Sequence, residues 1–176
     1  MNPTLIVLEV IGWIQAPLLW YLFKRYAKRN VLGELIAGAI FGVFFEVATE
    51  ALWDYHFQIT FYRDTPVGVL TGWMVMFTLV TFISEKLYCR VLRTDHIAPR
   101  DKRIFIFDLI AGTIVALPME TLGAKLGVWT YRTDLLKWDW NHLVPFFHMP
   151  YEVISGYCLV MLIAPTFVRY WEKSFE

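Results

Sequence analysis

The sequence has little charge for its length. Asp, Glu, Lys and Arg make up 18% of its 176 residues, whereas they form about a quarter of a typical soluble domain. The acidic and basic residues balance to a formal net charge of zero, so no global charge favours nucleic acid as a partner. The remainder is strongly apolar, with 57% hydrophobic residues and a mean hydropathy of +0.48. The length predicts one domain, residues 1–176.

The sequence also has few cysteines. Cys89 and Cys158 are the two present, which excludes a framework of several disulfides. Neither has a second Cys or a His at metal-site spacing, so we expect both to pack as small apolar side chains.

Long apolar runs are the main feature of the sequence. Five stretches are long enough to cross the roughly 30 Å hydrocarbon core of a bilayer, and charges or chain breakers separate them. We therefore predict an all-α fold, a polytopic transmembrane bundle in one integral membrane domain. The predicted spans are approximately 4–23, 32–53, 66–88, 104–124 and 144–168.

The basic residues predict the orientation of these spans. Twelve of the sixteen Lys and Arg residues follow the first, third or fifth span, and cytoplasmic segments are enriched in such residues. We expect the N-terminus outside and the C-terminus in the cytoplasm, in a bacterial or archaeal plasma membrane. The basic clusters are then explained by topology rather than by nucleic-acid binding.

An internal repeat relates the second and fourth spans. The Leu-Ile-Ala-Gly of 35–38 recurs at 109–112, and at the same spacing Glu46 corresponds to Glu120. We predict that helices two and three are duplicated as helices four and five, in a parallel repeat.

The ends of the two predicted halves also match. A Trp-x-Tyr motif follows the second span at 53–55 and the fourth at 129–131. A proline is predicted to open the next helix in each half, Pro66 in the first and Pro145 in the second.

Ionisable residues inside spans are costly and indicate function, and most of those here lie in the outer half. Residues four apart share one helical face, which groups Glu46 with Glu50 and His148 with Glu152. Lipid cannot satisfy such groups, so we expect a polar cavity that opens toward the outer leaflet. The candidate catalytic residues are Glu46, Glu50, Glu120, His148 and Glu152.

Near the inner surface, Glu34, Glu85 and Asp108 are predicted to reach water at the ends of their helices.

Aromatic residues flank the outer carboxylates in both halves. They would line a substrate pocket, although an aromatic belt at the membrane interface is an equally good interpretation. The candidate substrate-binding residues are Trp53, Trp73, Trp129, Tyr131 and Tyr151.

Carboxyl groups beside aromatic rings in an apolar cavity are suited to acid chemistry on a C=C bond. Apolar surroundings favour the neutral form of a carboxylic acid, which can donate a proton, and aromatic ring faces stabilise a developing cation. We predict protonation of a C=C bond in a lipid-soluble isoprenoid, followed by cyclisation, isomerisation or hydration, without a cofactor. The expected partners are this small molecule and membrane lipids.

Two short motifs carry a family resemblance. Pro118-Met119-Glu120 and Pro150-Tyr151-Glu152, with Trp-x-Tyr between them, resemble the small membrane-embedded lycopene cyclase domains. The segment 120–131 is similar to the E-x-x-G-x-x-x-G stretch of membrane carotenoid hydratases. The resemblance implies a protein of carotenoid biosynthesis in which the acid of the motif acts on a carotenoid end group. Thr121 and Val153 stand where the cyclase motif has its second acid.

Three other interpretations stay open. The five candidate catalytic residues could form a carboxylate-rich metal site. They could serve as the proton relay of a small carrier. They could also only lock helices together in a non-catalytic accessory or scaffold subunit, either in a homo-oligomer or with a membrane partner subunit.

Overall fold

A computed structural model describes residues 3–132 and 143–173 of the chain. The described residues form five α-helices, and all five are long and apolar enough to cross a membrane. This confirms the predicted fold class and an integral membrane protein. The helices are α1 Pro3–Leu22, α2 Leu32–Thr49, α3 Val67–Leu92, α4 Ile104–Lys125 and α5 Tyr151–Lys173.

Helix α3 lies at the centre of the bundle and contacts each of the other four helices. Small residues let the helices approach, as the close packing of membrane helices requires. A Cβ added to Gly112 on α4, for example, would lie 2.4 Å from Cγ of Met161 on α5. The main core therefore forms among α2, α3, α4 and α5, where Phe77, Val80 and Ala111 are fully buried.

Helix α1 is attached to one side of this core and packs mainly against α3. A Cβ on Gly12 would lie 2.8 Å from Cα of Gly68, so the two backbones are in contact. After Leu22 the chain continues as a π-helical turn, Phe23–Ala27.

Short strands close the bundle at the end where α2 and α4 finish, a feature that the apolar pattern did not predict. We call this end the outer end and the opposite one the inner end, after the predicted orientation. They form three antiparallel pairs, β1 with β4, β2 with β3 and β5 with β6. In the first pair Trp53 lies opposite Tyr131, and Tyr55 lies opposite Trp129. The two Trp-x-Tyr motifs are thus hydrogen-bonded to each other. The strands are β1 Trp53–Tyr55, β2 Thr60–Tyr62, β3 Thr65–Pro66, β4 Trp129–Tyr131, β5 Leu143–Val144 and β6 Met149–Pro150.

The fifth helix begins later than predicted. It starts at Tyr151, and the residues from 143 to 150 form a β-hairpin. His148 lies in the turn of that hairpin with a φ of 56°. The prediction that His148 and Glu152 share one helical face is therefore wrong, because His148 is not helical. Pro150, rather than Pro145, directly precedes the helix, as Pro66 precedes α3.

The second helix ends earlier than predicted. It stops at Thr49, and Glu50–Leu52 form a single 3-10 turn before β1. Glu46 is therefore in the α-helix and Glu50 is not, so the predicted shared face of these two residues is interrupted.

The inner ends of the helices hold a network of ion pairs, which we call the inner ionic cluster: Arg29, Glu34, Glu85, Asp108 and Arg169. Arg29 binds Glu34 and Glu85, each at 2.9 Å. Arg169 binds Asp108 with both terminal nitrogens and also contacts Glu85. The prediction that Glu34 and Asp108 reach water is wrong, because both are fully buried and paired with arginine.

Candidate functional site

Glu46 is a buried carboxyl group near the outer end of α2. Its Oε1 accepts a hydrogen bond from Nε1 of Trp73 at 2.5 Å. Its Oε2 accepts from the hydroxyl of Tyr55 at 2.9 Å and from Nε1 of Trp53 at 3.4 Å. Both oxygens are therefore satisfied by aromatic donors.

A glycine one turn earlier positions the closest of these donors. A Cβ on Gly42 would lie 2.6 Å from Cβ of Trp73, so the indole can lie against α2 only because Gly42 has no side chain. Trp73 in turn stacks on Phe77 within α3. The indole N–H is thereby fixed toward Glu46.

Glu120 is the corresponding carboxyl group on α4. Its Oε2 is 2.9 Å from the hydroxyl of Tyr131, and its Oε1 is hydrogen-bonded to the hydroxyl of Tyr157 on α5. A glycine again shapes the site, because a Cβ on Gly123 would lie 1.9 Å from Cη2 of Trp129. The Trp129 ring therefore packs on the backbone of α4, next to Glu120.

The two carboxyl groups differ in the kind of partner they have. An indole N–H can only donate, whereas a phenol hydroxyl can either donate or accept. Glu46 faces an indole donor on each oxygen, so its oxygens must act as acceptors toward them. Within residues 3–132 and 143–173 the hydrogen-bond partners of Glu120 are phenols, so it can keep a proton and donate it to one of them. The hydrogen bonds thus suit Glu46 to accept a proton and Glu120 to donate one.

The surrounding aromatic rings connect these two groups. The Trp73 ring, which binds Glu46, stacks on the ring of Tyr157, which binds Glu120, with centroids 6.0 Å apart and an interplanar angle of 21°. Across the first strand pair, Trp53 and Tyr131 also make an edge contact. The two carboxyl groups and their partners therefore form one packed unit.

The tyrosines of the strand pair stay protonated. Burial raises the pKa of Tyr55 well above 10, and the neighbouring Glu46 adds to this rise. Burial likewise raises the pKa of Tyr131. Both phenols are therefore neutral hydrogen-bond partners at physiological pH.

Glu46 and Glu120 line one cavity of about 370 Å³. Its volume is in the range of small-molecule sites, and apolar and aromatic side chains form most of its wall. Among its lining residues, Ile11 of α1, Leu122 of α4 and Leu126 directly after α4 are exposed. From these exposed apolar side chains we infer that the cavity opens between α1 and α4.

The structure brings together about half of the predicted site residues. Those that line the cavity are Glu46, Glu120, Trp53, Trp73 and Trp129, and Tyr131 joins them through its hydrogen bond to Glu120.

The other predicted residues lie outside the cavity wall. Glu50 binds Arg63 at 2.6 Å, and His148 and Tyr151 are exposed. Both carboxyl oxygens of Glu152 are buried without a hydrogen-bond partner among the described residues. The predicted roles of these four residues are not supported by their positions.

Three site residues were missed by the sequence reasoning. Tyr55 belongs to the Trp-x-Tyr motif, so the repeat itself could have indicated it once Tyr131 was chosen. Tyr157 lies seven residues after Pro150, as Trp73 does after Pro66, but the wrong proline had been matched. Gln15 of α1 also lines the cavity. No sequence pattern indicated it, because its position depends on how α1 packs against α3.

The metal-site interpretation lacks geometric support. Within residues 3–132 and 143–173, no three His, Cys, Asp or Glu side chains come together as a metal ion would require. The sequence matches no protein-family model, no curated protein and no solved structure. What the site does must therefore be argued from its own geometry.

Proposed function

We propose that this protein is a membrane-embedded enzyme that protonates a C=C bond of an apolar isoprenoid, of the carotenoid type that the P-x-E motifs suggest. One observation carries the proposal: two carboxyl groups, the buried Glu46 and the half-buried Glu120, share an apolar, aromatic cavity that opens at the side of the bundle. A lipid-soluble substrate would enter from the bilayer between α1 and α4, without passing through water.

The roles of the two carboxyl groups follow from their partners. Glu120 gives its proton to one carbon of the C=C bond, and the other carbon becomes a cation. The ring faces of Trp53, Trp73 and Trp129 stabilise that cation. Glu46 then removes a proton from a neighbouring carbon, which completes an isomerisation or a cyclisation. The substrate gains one proton from Glu120 and loses one to Glu46, so the return of a proton from Glu46 to Glu120 restores the enzyme and no further reactant is needed. In a hydration, water would instead add to the cation and lose its proton to Glu46.

The orientation is part of the proposal. The excess of basic residues after the first, third and fifth spans supports a cytoplasmic C-terminus in a bacterial or archaeal plasma membrane. In that orientation the cavity lies in the outer half of the bilayer.

The test is a comparison of lipid extracts from a carotenoid-producing host that expresses the wild-type chain, Glu120→Gln or an empty vector. We expect mass spectrometry to show a product that is isomeric with its precursor, or heavier by one water, in the wild-type extract alone. The matched control is Asp54→Asn, since Asp54 binds Arg132 on the surface of the same strand pair, and it should retain the product. Identical lipids in all extracts would contradict the proposal.

A scaffold function is the second candidate. Tyr131 and Tyr157 tie Glu120 to two other elements of the fold, as polar residues do where they only lock helices together. A scaffold requires a partner subunit that co-purifies with the chain, and unchanged lipids in the experiment above together with such a subunit would favour it.

A further inference from the structure

One polar group in the cavity has a free hydrogen-bonding position. Gln15 lines the cavity from α1, about midway along that helix. Its Nε2 donates to the backbone oxygen of Gly68 and to Oγ1 of Thr71, both at 2.9 Å. The carboxamide is thereby held against α3.

The orientation of this carboxamide is determined by its neighbours. The Gly68 oxygen can only accept, so the nitrogen of Gln15, not its oxygen, must face it. The Thr71 hydroxyl is already hydrogen-bonded to the backbone oxygen of Gly12. The nitrogen of Gln15 therefore faces these two acceptors on α3, and its Oε1 takes no part in either contact.

No described residue donates a hydrogen bond to this Oε1, and the side chain of Gln15 is half-buried in the cavity wall. The oxygens of Glu46 and Glu120, by contrast, each accept from at least one aromatic partner. Gln15 therefore offers an acceptor that the protein leaves without a donor. An acceptor at this depth of a membrane helix is unfavourable unless a donor reaches it.

We propose that the substrate is an isoprenoid alcohol and that its hydroxyl donates a hydrogen bond to Oε1 of Gln15. This inference rests on the proposed function, and it adds the polar group that the substrate carries. The hydroxyl lies on the α1 side of the cavity, the apolar end faces the carboxyl pair, and the rest of a long chain leaves between α1 and α4. Gln15 is then a specificity-determining residue.

Three ligands with the same isoprenoid chain test this inference: geranylgeraniol, its methyl ether and the matching hydrocarbon. The ether can accept a hydrogen bond but cannot donate one, so only the alcohol can satisfy Gln15. Competition against radiolabelled geranylgeraniol would be measured on the full chain at fixed detergent concentration. We expect the wild type to bind the alcohol about fivefold more tightly than the ether, the effect of one hydrogen bond.

Two variants test whether the preference for the alcohol over the ether depends on Gln15. Gln15→Met keeps the length of the side chain but removes the acceptor, and it should bind alcohol and ether equally. Thr71→Ser keeps the hydroxyl that positions Gln15, and it should retain the preference. A wild type that binds alcohol and ether equally, or a Gln15→Met chain that still prefers the alcohol, would overturn the inference alone. A wild type that binds none of the three ligands would overturn the proposed function as well.

Discussion

The two ends of this bundle differ in the partners that their carboxyl groups have. Helices α2 and α4 each carry one acidic residue near the inner end, Glu34 and Asp108, and one near the outer end, Glu46 and Glu120. The inner two are paired with arginine. Within the described part of the chain, the outer two have only neutral aromatic partners.

This difference separates a structural role from a chemical one. A buried carboxylate next to a guanidinium is held in its charged form and fixed in place. A carboxyl group bonded to phenols and indoles carries no compensating charge, so taking up or releasing a proton does not break an ion pair. The nearby arginines do not supply that charge, since Arg63 binds Glu50 and Arg132 binds Asp54. The inner ionic cluster therefore holds the helices together, and the outer pair is available for proton transfer.

The largest effect should follow from breaking the inner ionic cluster. Arg169→Met leaves Asp108 buried without its partner, and we expect a loss of about 3–5 kcal/mol in the free energy of unfolding. Titration with a denaturing detergent would measure it. The control is Arg132→Met, because Arg132 and Asp54 are an exposed pair whose loss should cost less than about 1 kcal/mol.

A double variant checks the cause of that loss. Replacing Asp108 by Leu in the Arg169→Met background removes the uncompensated charge, so much of the stability should return. Equal instability of the single and double variants would show that packing of the arginine, rather than charge pairing, is what the cluster contributes.

A smaller effect should distinguish the two outer carboxyl groups. Glu46→Gln places an NH₂ group opposite an indole N–H, and two donors cannot bond. Glu120→Gln places it opposite a phenol, which can rotate to accept. We therefore expect Glu46→Gln to be less stable than Glu120→Gln by about 1–3 kcal/mol, the cost of a buried unsatisfied donor. Equal stabilities in the same denaturation assay would contradict the assignment of Glu46 as acceptor.

The smallest expected effect is on the free energy of unfolding at alkaline pH. Folding raises the pKa of Tyr55 above its ordinary value near 10. The folded state therefore keeps a proton that the unfolded state loses. This contribution to stability is fully present below pH 10 and is lost as the pH rises further.

Comparison of unfolding free energies between pH 8 and pH 11 would test this. Tyr55→Phe should show a shallower alkaline decline than the wild type. Tyr26→Phe, at a side chain that is 76% exposed, should follow the wild-type profile. A Tyr55→Phe profile as steep as the wild type would contradict the prediction.

Much of the fold was predictable because it depends on local properties. The apolar runs predicted five helices, and four of them begin within one residue of the predicted position. The fifth failed at its start because an apolar run does not reveal a β-hairpin; residues 143–150 contain two prolines, and His148 turns into the left-handed region. The predicted duplication remains a prediction.

The candidate site was only partly predictable. Predicted depth in the membrane selected Glu46 and Glu120, which line the cavity, but it also selected Glu50, His148 and Glu152, which do not. Depth cannot distinguish an acid that faces a cavity from one that binds a surface arginine. That distinction depends on the direction of the side chain and on Arg63, which lies in the following loop.

Hydropathy and helical length are properties of consecutive residues, so the sequence alone predicts five membrane-compatible helices with acidic residues at both ends. Which acids have arginine partners and which share a cavity depends instead on tertiary packing. Those partners are distant in the chain: Trp73 is 27 residues from Glu46, and Tyr157 is 37 residues from Glu120. Only the packing of α3 against α2 and of α5 against α4 brings them into contact.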